Sequence, residues 1–327
     1  MRRAICILLL AALAACAPLM APPGPDAASP VLSKESFAAA DRAVLPVRAW
    51  SPKGDVKAVI VALHGFNDYS NFFATPGEFL AADGIAAYAY DQRGFGGSPN
   101  RGVWPGFRAY VEDLKAFVKE VRASHPGTPL YLLGESMGGA VAMAALTGSH
   151  PPDIAGVILA APAVWGRETM PFYQTWALWI AAHTLPWLEV TGRGFKIMAS
   201  DNIEMLRALG RDKKVIKSTR IDTIYGLVNL MDAALQSSSR LNVPALILYG
   251  EKDAIIPRKS TYQMLKRLPA QAREKIMVAF YENGYHMLLR DLQAKTVWRD
   301  IAAWIDNPAA ALPSGADGRA RVVLNGK

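Results

Sequence analysis

Only two cysteines, Cys6 and Cys16, and five histidines occur among the 327 residues. Neither type recurs at the short spacings that hold zinc or an iron–sulfur cluster, so no metal centre is expected. No segment repeats at a fixed period, which argues against a solenoid or a propeller. The apolar stretch Ala4 to Leu13 is roughly half the length that crosses a bilayer. Charge is modest: 36 Lys and Arg stand against 28 Asp and Glu. Long basic blocks are lacking, so nothing suggests a nucleic-acid module. The densest group, Arg211, Lys213, Lys214, Lys217 and Arg220, reads as a solvated helix face that also suits an anionic surface. What is plentiful is apolar residue, 51% of the chain, enough for a sizeable core in one large domain.

The first sixteen residues read as an address. Met1-Arg2-Arg3 gives a positive start, the short apolar run follows, and Leu13-Ala14-Ala15-Cys16 supplies small residues before a cysteine. That last tetrad resembles a bacterial lipobox. The resemblance implies loss of residues 1–15, with Cys16 left as an acylated first residue. With alanine at position 17, it also implies a place in the bacterial cell envelope, on the outer membrane facing the periplasm. Cys6 would leave with the signal and lipidation would consume the Cys16 thiol, so the mature chain would rely on its core and not on disulfides. It would carry 34 basic residues against 28 acidic, about +6. Each buried CH₂ of an acyl chain contributes about 0.8 kcal/mol, so several chains would anchor the protein without a membrane-spanning helix. Residues 16–40, with Pro18, Pro22, Pro23, Pro25 and Pro30, read as a semi-rigid tether ahead of a domain over 41–327.

From about residue 43 strand-like apolar runs alternate with helical stretches. That rhythm predicts a mostly parallel central sheet with helices on both faces. The expected strands are 57–63, 85–90, 130–133, 157–160, 245–249 and 276–281, with 44–50 as an edge strand and a helix over 107–123. In such sheets function gathers beyond the carboxyl ends of the strands. The rhythm breaks at about 164–240, which holds four of the eight tryptophans. There Phe172, Trp176, Trp179 and His183 follow helical spacing while Tyr173, Ala177 and Ile180 occupy the opposite side. A helix apolar all round must be buried or face lipid, and this one is too short to span. The region reads as a helical cap inserted over the sheet.

Gly134-Glu135-Ser136-Met137-Gly138 follows an apolar strand and opens a helical run, the context a nucleophile elbow requires. The turn exposes Ser136 Oγ, and glycines are needed where side chains would collide. A nucleophilic serine then needs an acid and a base later in the chain. His286, in Gly284-Tyr285-His286, is the one histidine that follows both the serine and a terminal strand. Asp253, in Gly250-Glu251-Lys252-Asp253, lies deeper in its loop than the competitor Glu251, and an aspartate there can fix the tautomer of the imidazole. Two backbone donors should hold an oxyanion: Met137 N–H, directly after the serine, and Phe66 N–H in His64-Gly65-Phe66. His64 itself reads as a residue that shapes this loop by hydrogen bonds. Asp91-Gln92-Arg93-Gly94-Phe95-Gly96-Gly97-Ser98 lacks the pattern of a P-loop or a dinucleotide fingerprint, and reads as a turn with an internal ion pair.

These five motifs, in this order over residues 43 to 306, resemble the monoacylglycerol lipase and lysophospholipase branch of the α/β-hydrolases. The resemblance implies the α/β-hydrolase fold with an inserted cap and an acyl-enzyme mechanism. It also implies a small acyl ester or lipid as substrate, and no cofactor. An aromatic cap suits an apolar acyl chain. An aminopeptidase or amidase of the same fold would need an acid for the substrate amine, for which the cap offers Glu168, Glu189 and Glu204. An inactive tethered scaffold is the reading from another class, and the complete set of triad residues speaks against it.

Overall fold

The computed structural model describes residues 17–192 and 197–325. The expected signal sequence and lipobox, with Cys16, lie outside the described residues. Nine strands form one sheet: β1 (Val31–Leu32), β2 (Ser36–Ala38), β3 (Val44–Trp50), β4 (Ala58–Leu63), β5 (Ile85–Tyr90), β6 (Leu130–Glu135), β7 (Gly156–Ala160), β10 (Ala245–Gly250) and β11 (Ile276–Tyr281). Their order across the sheet is β1-β2-β3-β5-β4-β6-β7-β10-β11. The pairs from β5 to β11 are parallel, while β1, β2 and β3 run antiparallel to their neighbours. Six of the strands match the expected spans to within a residue. β6 runs two residues further, so that it ends on Glu135 beside the nucleophile.

The continuous apolar runs have a direct physical cause. Val59, Val61 and Leu63 of β4 point into one core, against α2 (Phe107–Ser124) and α3 (Met137–Thr147). Ala58, Ile60 and Ala62 point into the other, against α1 (Ala74–Ala82) and α8 (Ala294–Asp306). With both faces covered, every residue of the strand is apolar and buried. α2 buries one stripe, with Tyr110, Leu114, Phe117 and Val121 inward. The helices α7 (Arg258–Arg267) and α9 (Ala316–Asn325) flank the last two strands.

Residues 17–40 depart from the expected tether. Ala21 N–H donates to Trp104 O at 2.9 Å, Leu19 N–H to the Asp222 carboxylate at 3.2 Å, and Ala27 and Ala28 N–H to Ala40 O. The β1–β2 hairpin then extends the sheet beyond β3. Phe37 is fully buried, its ring edge-on to Phe117 at 5.2 Å. Burial of an aromatic ring and pairing along an otherwise open strand edge outweigh the entropy of a free proline-rich segment.

Between β7 and β10 the chain forms α4 (Phe172–Thr184), α5 (Ile203–Arg211), α6 (Ile221–Ser237) and a two-stranded antiparallel ribbon of β8 (Glu189–Val190) with β9 (Thr219–Arg220). α6 is seated on the body through Val228, Met231, Ala234 and Leu235. α4 is not: among its residues only Ala182 is buried, and Phe172, Tyr173 and Trp176 are 78%, 60% and 65% exposed. The face turned inward carries Leu178 and Ala182, which is neither of the two aromatic-bearing sides.

The glycine-rich loop after β5 also differs in detail. The Arg93 guanidinium is buried against Asp41 and Asp113, at 2.7 and 2.6 Å, both outside the loop. Asp91 instead accepts from Ser70 N–H and Gly97 N–H. The expected internal ion pair is thus replaced by one that fastens the N-terminal segment and α2 to the sheet.

Candidate active site

β6 delivers the serine. Ser136 has φ 51° and ψ −112°, a conformation rare for a residue with a side chain, and α3 starts at the next residue. The strain is held by three backbone bonds: Ser136 N–H to Ala160 O at 2.9 Å, and Ala140 and Ala163 N–H to Ser136 O at 3.1 and 2.9 Å. A Cβ at Gly134 would overlap the backbone of Gly138 and Gly139, and one at Gly138 would overlap Leu63 O. Only glycine lets helix, elbow and β4 approach this closely. Register then aligns Leu63 of β4 with Gly134 of β6, so the loop after β4 lies beside the nucleophile. A Cβ on Gly65 would sit 3.4 Å from that of Ser136.

Asp253 and His286 meet across the loops after β10 and β11. Asp253 Oδ2 accepts from His286 Nδ1–H at 2.8 Å, while its Oδ1 accepts from the Ile255 and Ile256 amides at 2.8 and 2.9 Å. Both groups are buried. Burial opposes the imidazolium, but the Asp253 carboxylate and, behind it, Glu135 outweigh this and raise the His286 pKa above its ordinary value. Glu251, the competitor for the acid, is committed elsewhere, to Arg319 and Arg258.

Phe66 lines the same cavity as Ser136 and His286. Met137 is the first residue of α3, so its N–H has no acceptor within the helix. His64 donates from Nδ1 to Gly65 O at 2.8 Å and accepts at Nε2 from Gln92 N–H at 2.9 Å. Burial lowers its pKa, so it stays neutral and serves to shape the loop. The cavity measures ≈ 530 Å³, and its apolar wall comes mainly from the cap: Trp165, Met170, Leu178, Leu227, Val228 and Met231. Of the four cap tryptophans only Trp165 contributes; Trp176, Trp179 and Trp187 are exposed. Glu168 is paired with Arg267 and Glu204 with Arg207, while Glu189 is exposed in β8; none of the three lines the cavity.

Three charged residues that sequence reasoning passed over do line it: Asp68, Glu135 and Arg290. Arg290 bridges Asp68 at 2.7 Å and Glu135 at 2.8 Å. One signal was available. Glu135 ends a strand with every residue buried, and a carboxylate there demands a counter-ion. Among the described residues no group of His, Cys, Asp and Glu is arranged to hold a metal ion.

Known proteins resemble this chain in sequence and in fold. A family model described as serine aminopeptidase, S33, matches residues 54–293, which include Ser136, Asp253 and His286. The human monoglyceride lipase is 28% identical over 278 residues, covering 83% of this chain and 89% of that protein. The monoacylglycerol lipase of Mycolicibacterium smegmatis is 25% identical over 291 residues, covering 84% and 96%. A soluble variant of the Saccharomyces cerevisiae monoglyceride lipase, solved with a substrate analog, has the same fold. Its TM-score is 0.69 at 22% identity, over 88% of this chain and 98% of that one. With the family model covering most of its length, the chain belongs to the serine aminopeptidase S33 family and is a monoglyceride lipase- or esterase-like serine hydrolase of the α/β-hydrolase fold.

Proposed function

We propose that this hydrolase cleaves carboxylic esters with a long apolar acyl chain, of the monoacylglycerol or lysophospholipid kind. It does so through an acyl-enzyme on Ser136, at a membrane surface to which Cys16 tethers it. The observation that carries the reading is the cavity, which joins Ser136 and His286 to an apolar wall of cap residues. The monoglyceride lipases among its relatives support the same substrate class.

Ser136 Oγ attacks the ester carbonyl while His286 takes its proton. Asp253, bonded to His286 Nδ1–H at 2.8 Å, stabilises the imidazolium. The Phe66 and Met137 amides bind the oxyanion as it forms. His286 then protonates the leaving alcohol, and water repeats the cycle on the acyl-enzyme.

The outward face of the cap supports action at a lipid surface. Most of the exposed large apolar side chains among the described residues lie between Phe172 and Ile203. Exposed apolar side chains in this number, with Trp176, Trp179 and Trp187 among them, suit the membrane interface. No described helix is long and apolar enough to cross a membrane. The outer-membrane position facing the periplasm follows from lipidation at Cys16, and belongs to the same proposal. An aminopeptidase would need a free acid at the cavity, and the cap glutamates do not supply one.

The test is hydrolysis by the purified chain beside Ser136→Ala, using p-nitrophenyl esters of rising chain length, a monoacylglycerol, a lysophospholipid and an aminoacyl anilide. Serine-dependent turnover that rises with acyl length is expected. Turnover of the anilide alone would replace the ester reading with an aminopeptidase. In cells, Cys16→Ala should move the protein out of the membrane fraction, and unchanged partitioning would refute the anchor.

A further inference from the structure

The Asp68–Glu135–Arg290 cluster has no part in the chemistry just described, yet its members come from three of the four loops that carry it. Asp68 lies two residues past Phe66, Glu135 immediately precedes Ser136, and Arg290 follows His286 by four residues. The Arg290 guanidinium, at 2.7 Å from Asp68 and 2.8 Å from Glu135, joins them at a single point. All three side chains are nearly sealed from solvent, with exposures of 10% for Arg290, 6% for Asp68 and 3% for Glu135.

Cohesion alone explains this poorly. A buried ion cluster is weak evidence for stability, since packed apolar residues of similar size usually do as well or better. The hydrogen bonding is also incomplete: Arg290 Nε, Glu135 Oε1 and Asp68 Oδ2 have no hydrogen-bond partners, so Arg290 meets Asp68 as an ion pair and Glu135 as a hydrogen-bonded one. Two carboxylates face one guanidinium beside a residue that becomes positive during the reaction. Burial raises the Glu135 pKa while Arg290 opposes that rise, and with both carboxylates ionised the cluster is net negative. The charged groups acting on His286 are Asp253 from the loop after β10, Glu135 from the end of β6, and Arg290 from its own loop. Glu135 favours the imidazolium and Arg290 opposes it.

We propose that Arg290 is a positioning residue that fastens the nucleophile, oxyanion and histidine loops together and, with Glu135, sets the charge felt by His286 as it takes the proton from Ser136. The inference rests on the roles given to Ser136 and His286 above. The cluster holds three loops in register and keeps the field at the base between two limits. Removing either charge moves that field, in opposite directions.

The test is the pH profile of kcat/KM for a p-nitrophenyl ester with the full-length chain in detergent. Four forms are compared: the unaltered protein, Glu135→Gln, Arg290→Met and the double variant. Activity rises with pH as His286 loses its proton. Glu135→Gln should move that midpoint to lower pH and Arg290→Met to higher pH, with the double variant returning toward the starting value. The plateau should fall about 100-fold in Arg290→Met, as for a misplacement of about 1 Å at the reacting atoms. If Arg290→Met does not fold, Arg290→Lys serves in its place. A lysine keeps the charge but cannot grip both carboxylates, so the plateau should fall and the midpoint stay. Shifts of one sign in both single variants, or an unmoved midpoint in folded Glu135→Gln, would overturn the inference. Turnover that survives Ser136→Ala would instead overturn the underlying assignment.

Discussion

The sheet body and the cap use the same kinds of residue to opposite ends. In the body, apolar side chains on β4, β6 and β7 are wholly buried, and the chemistry stands at the strand ends. In the cap, α4 turns its tryptophans outward and lends the cavity little more than Leu178 and Gln174. Hydrophobicity in the body is a folding force. On α4 it is a surface property, kept where a soluble monomer would normally lose it. The cavity lies where these two logics meet, with catalytic groups supplied by one region and most of the apolar wall by the other.

Four substitutions would break or sharpen this contrast. Ser136→Ala, at the body's elbow, should lower kcat by about 10⁴-fold or more, measured by steady-state turnover. A loss below about tenfold would remove the nucleophile from the body altogether. Leu132→Ala, in the middle of buried β6, should cost about 2–5 kcal/mol in urea denaturation, the usual range for a leucine deleted from a packed core.

Asp41→Asn probes the body's edge through pH. The Arg93 hydrogen bond holds the Asp41 pKa down to about 2. A carboxyl lowered on folding adds stability above its unfolded pKa and loses it as pH falls through the folded value. The urea midpoint of the unaltered protein should therefore decline between about pH 4 and pH 2 more steeply than that of Asp41→Asn. Equal slopes would show that the pair does nothing for the fold. Trp176→Ala, on the exposed face of α4, should change stability by no more than about 0.5 kcal/mol while weakening flotation with liposomes. A large stability loss there would make the cap an ordinary core after all.

Much of the body was legible because its signals are local. An apolar run of six residues bounded by glycines and polar turns marks a buried strand, and β5 and β11 fall where the sequence puts them. Ser136 is marked by glycines on either side, and His286 by elimination among few histidines. What stayed hidden depends on distant partners. Periodicity identifies α4 as a helix but not which face turns inward, because tryptophan is compatible with burial and with an interface alike. The prolines of residues 16–40 suggest a tether, and nothing local discloses that Phe37 will find Phe117. Arg93 and Arg290 are single letters until folding brings together carboxylates far apart in the chain.

The docking of the N-terminal segment limits any anchor at residue 16. Leu19 N–H is already bound to Asp222 at 3.2 Å, only three residues further on. Asp222 N–H in turn reaches Pro186 O, next to the exposed Trp187. At about 3.5 Å per extended residue, a lipid on Cys16 would have a leash of roughly 10 Å. Such a leash would restrict how far the domain could rise above a bilayer. With the lipidation proposed for Cys16, it would keep Leu19 and the neighbouring Asp222–Pro186 corner of the cap close to the lipid surface.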